Sequence, residues 1–435
     1  MDAARAAPAS PHLASPPLGR PVPLAPPTRV FDVFVNDPII WLIPFIAAVI
    51  GWATNVVAVR MMFAPVEFIG IKPFLGWQGI VPHHAKALAG KSTDLITQKL
   101  INLQVVFEQF DAAAFATHLD KALDDLTDQV IRETAEKHGP EAWKALPDPV
   151  KAQVKAILRK EVEQVAVAIL ADLGKEVHEI LDLKTIVVDA AEKDKKLIGD
   201  MFEHVGRAEF RFIKVSGLYF GFLFGVVQML VWAAYPAWWV LPFAGFMVGY
   251  VTNWLAIKLI FEPAQPRKVG PIVLHGLFHK RQQEVAVEFS RMVSGKILNT
   301  GNMVRYMSTG ASGERLFAIV ERHVGGLLDR FRANPMAAAL VPADRWDTIR
   351  GEVFAQMRKD LPADGGFLWI FTSRAIDVYS ELVEKMTALD SESFEGVLRP
   401  AFQKDEWKLI VAGGALGLGA GVLQVVYMFG EQVTR

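Results

Sequence analysis

Two histidines, His275 and His279, stand four residues apart, the spacing that puts both imidazoles on one face of a helix and that metal-ligand pairs use. No Glu follows His275 in the place a zinc-helix motif needs. In the aligned stretch of the first half the two positions hold Gln78 and Pro82, so metal binding is not expected. The stretch "AKALAGKS", Ala85 to Ser92, ends like a phosphate-binding loop, but its first required glycine is Ala85 and its flanks read as helix. His83 and His84 lie beside Lys86, where a solvated or head-group-facing role is expected. The chain has no cysteine, which excludes disulfides, thiolate metal sites and cysteine nucleophiles. No Ser-His-Asp order or carboxylate pair stands out for acid-base work. With no motif that specifies a reaction, a non-enzymatic protein without cofactor is expected.

The remaining candidates are amides in costly surroundings. "GWATNVVAVRMMF" (Gly51 to Phe63) and "GYVTNWLAIKLIF" (Gly249 to Phe261) each set a Thr-Asn pair in an apolar run, Thr54 with Asn55 and, 198 residues later, Thr252 with Asn253. On a helix Gly51, Asn55 and Ala58 share one face, as do Gly249, Asn253 and Ala256. A second pattern, Gly217, Gly221, Gly225 and Gln228, returns as Gly413, Gly417, Gly421 and Gln424 at an offset of 196. Stripes of small residues let helices approach closely, and a buried amide bonded across such an interface contributes about 0.6–2 kcal/mol. The amides therefore read as packing pins. The other reading keeps them as the lining of a polar pocket for an ion, lipid head group or small solute. No Asp or Glu lies inside an expected span to drive coupled transport, which favours packing. Arg60 and Lys258 follow the two asparagines by five residues and read as contacts to lipid head groups.

These residues must be positioned by membrane helices. Pro38 to Val59 and Leu409 to Gly430 are each 22 residues without a charge, long enough to cross about 30 Å of hydrocarbon. Val215 to Ile257 is 43 residues without a charge, and "YPAWW" at Tyr235 to Trp239 breaks it into a hairpin with interface-seeking aromatics. Four spans follow, over 38–62, 215–234, 238–261 and 408–430. "WLIPFIAAVIGWATNVVAVRMMFAP" from Trp41 and "WVLPFAGFMVGYVTNWLAIKLIFEP" from Trp239 share nine positions in one register, so a duplicated unit is the simplest account. After a tail over 1–36, rich in Pro and Ala and expected to be disordered, repeat 1 covers 37–234 and repeat 2 covers 238–430. Two crossings per repeat give both the same polarity, with an axis along the membrane normal.

The segments 64–213 and 262–407 then lie on one side. That side carries Arg60, Arg207, Arg211, Lys214, Lys258, Arg267, Lys268, Lys404 and Lys408 near the span ends, against Arg20, Arg29 and Arg435 on the other. The excess predicts large segments in the cytoplasm and both termini outside. Within them "VKAQVKAILRKEVEQVAVAILADL" from Val150 and "RAIDVYSELVEKMTAL" from Arg374 keep apolar residues at helical spacing among charges. The expected class is an all-α membrane protein with four transmembrane helices in two parallel-polarity repeats and large amphipathic cytoplasmic segments. A hydrophobic content of 52% agrees with a membrane class, and 46 Lys and Arg against 47 Asp and Glu leave no global basic surface for nucleic acid.

"GYVTNWLAIKLIFEP", "GIVPHHAKALAG" with "GLFHKRQQEVAV", and "SFEGVLRPAFQKDEWKLIVAGGALGLGAGVLQ" from Ser393 together resemble the bacterial membrane-protein family catalogued as domain of unknown function 445. The resemblance runs over nearly everything after the tail and implies a bacterial inner-membrane protein, with no catalytic residues to carry over. Val56 and Val57 depart from it where the second half has Trp254 and Leu255. The leading expectation is a multi-pass scaffold or envelope-organising protein in contact with the bilayer and with other envelope proteins or itself. The alternative is a transporter or a lipid-binding or lipid-transfer protein with a polar intramembrane pocket.

Overall fold

Apolar runs too long to bury in a small core become four long helices in the computed structural model, which describes residues 34–35, 38–71, 75–95, 111–335, 341–399 and 405–429. All but two residues of the expected 1–36 tail, together with Lys404, Gly430 and Arg435, fall outside the described residues. Helices of eight residues or more are numbered in chain order. Those long and apolar enough to cross a membrane are α1 (Ile43–Phe63, led in by a 3-10 turn at Pro38–Leu42), α7 (Arg207–Ala234), α8 (Val240–Phe261) and α16 (Glu406–Met428). The chain is overwhelmingly helical, an all-α protein. Helices α7 and α16 start earlier than the expected spans at 215 and 408. Charge ends an apolar run, but it does not end the i to i+4 hydrogen-bond ladder, so Glu209 and Glu406 sit in the first turns of span helices.

The chain divides into two units. One holds Met1–Asn55, Val215–Thr252 and Ala412–Arg435, and the other Val56–Lys214 and Asn253–Val411. In the first, glycines bring backbones into direct contact. A Cβ added to Gly217 would lie 2.7 Å from the Gly51 carbonyl carbon, and one on Gly225 2.6 Å from the Pro44 Cα. The pairing of α8 with α16 repeats this: a Cβ on Gly249 would lie 2.8 Å from the Gly413 carbonyl carbon, and one on Gly417 2.9 Å from that of Gly245. Outward faces carry exposed Phe45, Trp52, Tyr219, Leu223, Phe243 and Tyr427, which suits contact with lipid chains.

The second unit is built from amphipathic helices. Helix α2 (Ile80–Leu95) packs on α5 (Leu183–Lys193) and α6 (Lys195–Val205). After α9 (Gln282–Met292), α10 (Thr300–Ser308), α11 (Gly310–Ala333), α12 (Trp346–Asp360) and α13 (Phe367–Ala375), helices α14 (Val378–Ala388) and α15 (Ser391–Leu398) complete the second segment. Helix α9 packs on α14 as α2 does on α5, while α2 also meets α15 and α9 meets α6 across the two segments. Asp194 and Asp390, 196 positions apart, cap α6 and α15 by accepting from the Leu197 and Ser393 amides. Helix α4 (Asp148–Lys175) buries Leu158, Val162, Val165, Ala166, Ile169, Leu170 and Leu173, one stripe at helical spacing, and packs on α11 and on α3 (Asp120–Ile131).

Among the described residues strands are confined to two hairpins, β1 (Ile69–Ile71) with β2 (Leu75–Trp77) and β3 (Arg267–Val269) with β4 (Ile272–Leu274). Three residues are too few for alternation to reveal. After each hairpin a glycine amide, Gly79 or Gly276, donates to the carbonyl of Pro65 or Pro263 at 2.9 Å.

The glycine contacts generate a prediction. Gly249→Ala is expected to lower the thermal midpoint of the detergent-solubilised protein, because overpacking against backbone costs about 1–3 kcal/mol. Gly419→Ala has nothing within 4 Å of the added carbon and gains helix propensity, so its midpoint is expected to hold or rise. Equal effects from both would show that the close approach is not under strain.

Candidate functional site

Amides and hydroxyls inside apolar helices must find partners close by. Thr54 donates to the Gly51 carbonyl at 3.1 Å and Thr252 to the Val248 carbonyl at 2.7 Å, so both hydroxyls serve their own helix. Asn55 is fully buried, with its amide nitrogen 2.9 Å from where a Cβ on Gly217 would stand, so the glycine makes room for it. Asn253 donates to the Leu409 carbonyl at 2.9 Å and joins α8 to α16. Gln228 donates to Gln424 at 3.4 Å, beside the packed rings of Trp232 and Phe429. The structure therefore engages these amides, together with Gly51 and Gly249, in helix contacts. Arg60 and Lys258 are exposed; Lys258 pairs with Glu262 at 3.3 Å and lies 5.1 Å from the centre of the Trp254 ring.

The helical unit adds two ion pairs that the sequence did not announce. Arg281 donates to Glu209 at 2.7 Å, and His84 meets Asp405 at 2.7 Å. Glu209 and Asp405 are 196 positions apart and Arg281 and His84 are 197 apart, and each pair joins one chain segment to the other. His84 is thus a part-buried side chain held to Asp405 by a hydrogen bond. Burial opposes the Arg281 charge, but the Glu209 and Glu284 carboxylates outweigh it and raise its pKa. Burial likewise works against the Asp405 carboxylate, yet hydrogen bonds from Lys408 and His84 hold its pKa below the ordinary 3.8. His83 is lowered by burial and by the neighbouring charges of His84, Lys408 and Lys195.

The i, i+4 histidines come to rest differently from ligands. His279 is buried, and its Nε2 lies 3.1 Å from both the Phe261 carbonyl and a Glu395 carboxylate oxygen; two acceptors there place the proton on Nε2. His275 stacks on it with ring centres 6.0 Å apart. Among the described residues no group of three or more His, Asp or Glu side chains is placed to hold a metal. "AKALAGKS" lies inside α2, so it forms no loop around a phosphate.

Within this same unit an apolar cleft of about 720 Å3, counting the open space at its mouth, lies among the ends of α1, α7, α8 and α16. Val59, Met62, Phe210, Ile213, Ile257, Ile260, Phe278 and Leu409 form its walls, and Glu209, Asn253 and Glu406 are the polar groups on its lining. The two glutamates were missed because span limits drawn at the last charge put them outside the membrane helices. The available signal was their place within two turns of an apolar run, on a helix with nothing to stop it.

Comparison with known proteins gives two relatives. Over 96 residues the chain is 29% identical to a UPF0754 membrane protein of Cyanothece sp. (strain PCC 7425 / ATCC 29141), a stretch that covers 21% of this chain and 24% of that protein. Over 97 residues it is 30% identical to a UPF0754 membrane protein of Synechococcus sp. (strain JA-2-3B'a(2-13)), covering 22% and 24%. The chain thus spans about a quarter of the length of the curated relatives it matches. No family model matches it, and no solved structure does so significantly. The relatives are membrane proteins of an uncharacterised family, consistent with the resemblance carried by the motifs and with the four apolar helices.

Asp405 supplies a pH prediction. Its depressed pKa means that the stabilisation is complete above about pH 4 and is lost as pH falls through the folded-state pKa, below 3.8. Asp405→Asn is expected to lower unfolding stability by about 1–3 kcal/mol at neutral pH, as loss of hydrogen bonds to charged groups does. The gap from the wild type should close as the pH drops below 4 in denaturant titrations; a gap independent of pH would rule out the ionised pair as its source.

Proposed function

We propose that this membrane protein, similar over part of its length to bacterial proteins of an uncharacterised family, is a non-enzymatic scaffold of the bacterial inner membrane. Its apolar helices anchor a large helical unit that organises envelope proteins or further copies of itself. The observation that carries this reading is the packing of the span helices, in which glycine backbones touch and the amides Asn253, Gln228 and Gln424 bond between helices. Such contacts suit an anchor that holds still. The helical unit, formed by Val56–Lys214 and Asn253–Val411, contains most of the chain and so most of the surface open to partners.

In this reading the two halves are copies of one unit with equal polarity. The paired cross-segment contacts Arg281 to Glu209 and His84 to Asp405 support that, as do the matching caps Asp194 and Asp390. The basic residues near the span ends support a cytoplasmic helical unit with both termini outside. The alternative of transport or lipid transfer along the span helices has less support, because Gln228 bonds to Gln424 and the Asn253 amide nitrogen to the Leu409 carbonyl, which ties helix to helix.

Since the chain has no cysteine, single-cysteine variants test topology and partnership together. Pro236→Cys in the hairpin between α7 and α8 is expected to react with an impermeant maleimide on intact spheroplasts, and Lys175→Cys only after lysis. A photo-crosslinker on Lys175→Cys is expected to give discrete, saturable adducts in native membranes. The reverse labelling pattern would overturn the orientation, and an absence of reproducible adducts from several exposed positions would remove the scaffold reading.

A further inference from the structure

The cleft at the ends of the span helices is not symmetric in its charges, although its walls are. Val59 and Ile257, and Met62 and Ile260, stand 198 positions apart and line it from both chain segments; Ile213 and Leu409 do so at an offset of 196. At that same offset Phe210 corresponds to Glu406, and Phe212 to Lys408. The consequence is visible in the two related carboxylates. Asp405 has both oxygens paired, one with His84 and the other with Lys408 at 2.9 Å. Glu209, only 4% exposed, spends Oε1 on Arg281, and its buried Oε2 has no hydrogen-bond partner among the described residues.

Two more acceptors on the same lining are in that condition. Asn253 is 2% exposed; its donation to the Leu409 carbonyl fixes which way the amide faces and leaves a buried Oδ1 without a partner. Glu406 has a buried Oε1 without a partner and, among the described residues, no ion pair. Buried acceptors left in this state cost about 1–3 kcal/mol each, so three on one cleft call for an explanation. On the lining itself the three unmet atoms, Glu209 Oε2, Asn253 Oδ1 and Glu406 Oε1, are all acceptors. Arg281 pairs with Glu209 and Arg399 with Glu395, whereas the lining itself carries Glu209 and Glu406 and no cationic side chain.

We infer that this cleft binds an amphiphile with a primary ammonium head, the head meeting Glu209, Asn253 and Glu406 and the hydrocarbon lying along the apolar walls. A primary ammonium offers three N–H donors, no acceptor and one positive charge, which matches what the lining lacks. The apolar walls give a bare small amine little to gain and a chain much more, since burial contributes about 0.8 kcal/mol per CH2. A quaternary head supplies the charge without the donors, and an anionic head meets repulsion. The site is independent of the scaffold reading, which stands or falls on protein partners.

The test uses the full chain in nanodiscs that contain equal fractions of phosphatidylethanolamine, phosphatidylcholine and phosphatidylglycerol, with retained lipid counted by native mass spectrometry after transfer to dodecyl maltoside. Phosphatidylethanolamine is expected to be kept at least tenfold over the other two. Dodecylammonium is expected to displace it, whereas ethanolamine and dodecanol at the same concentration are not; displacement by dodecylammonium without selective phosphatidylethanolamine retention would assign the site to a single-chain amine. Glu406→Gln and Glu406→Phe, the latter matching Phe210, should each abolish the preference. Glu314→Gln, which removes an exposed charge that neither lines the cleft nor acts on Glu406, should keep it. Indifference to head group in both the retention and displacement assays, a preference for phosphatidylglycerol, or a preference unchanged in both Glu406 variants would overturn the proposal. Should those variants fail to fold, equal displacement by dodecanol and dodecylammonium in the wild type would overturn it alone.

Discussion

Contact between helix backbones is the constraint on which the membrane unit depends. Lipid chains are as apolar as leucine, so helices in that solvent gain nothing from hiding leucine against leucine and must associate through close packing and hydrogen bonds. Glycine at 217 and 225, and at 249 and 417, brings the axes near enough for both. Once α1 lies on α7 and α8 on α16, the face that carries each glycine is fixed, and the rotation of every other residue follows. Gln228 and Gln424 then reach each other, while Phe45, Tyr219 and Tyr427 are left on the outside. A side chain at any of these glycines would push the helices apart before a long-range amide bond formed.

The helical unit solves a different problem, how two chain segments that are far apart in sequence stay together. Each segment could satisfy much of its own apolar surface, as α2 does against α5 and α9 against α14. Each also offers elements to the other, with α2 against α15 and α9 against α6. The reciprocal ion pairs lie on the same exchange. A partly buried Arg281 with Glu209 contributes more to register than to net stability, because desolvation consumes much of the attraction, and a slipped pairing would strand a buried charge. The exchange therefore specifies which segment packs where, while the leucine, valine and isoleucine stripes supply the free energy.

Much of this was legible in the sequence, for physical reasons that differ by element. The four spans were readable because hydropathy over 20 residues is a strong signal, and the amides stood out because an Asn in such a run needs a partner. The starts of α7 and α16 were not readable, since charges mark the end of an apolar run and not the end of a helix. The β hairpins are too short to leave a pattern. The pairing of His84 with Asp405 spans 321 residues and has no local trace. His279 shows the limit of spacing as evidence: four residues from His275, it was a formal metal-ligand match, yet it is held by the Phe261 carbonyl and Glu395.

The differences between the two halves carry as much information as their likeness. Where both keep an apolar residue, as at Met62 and Ile260, packing alone accounts for it. Where one has Phe210 and the other Glu406, packing accounts only for the phenylalanine, since a carboxylate in that place faces desolvation with less to offset it. At the next related pair of positions Lys408 completes the pairing of Asp405, whereas Phe212 leaves Glu209 half answered. A chain under pressure for stability alone would have settled both halves on the apolar or the fully paired solution. That each half keeps an unmet acceptor beside an apolar wall, Glu209 in the first and Glu406 in the second, ties the asymmetry to something that the polypeptide does not itself provide.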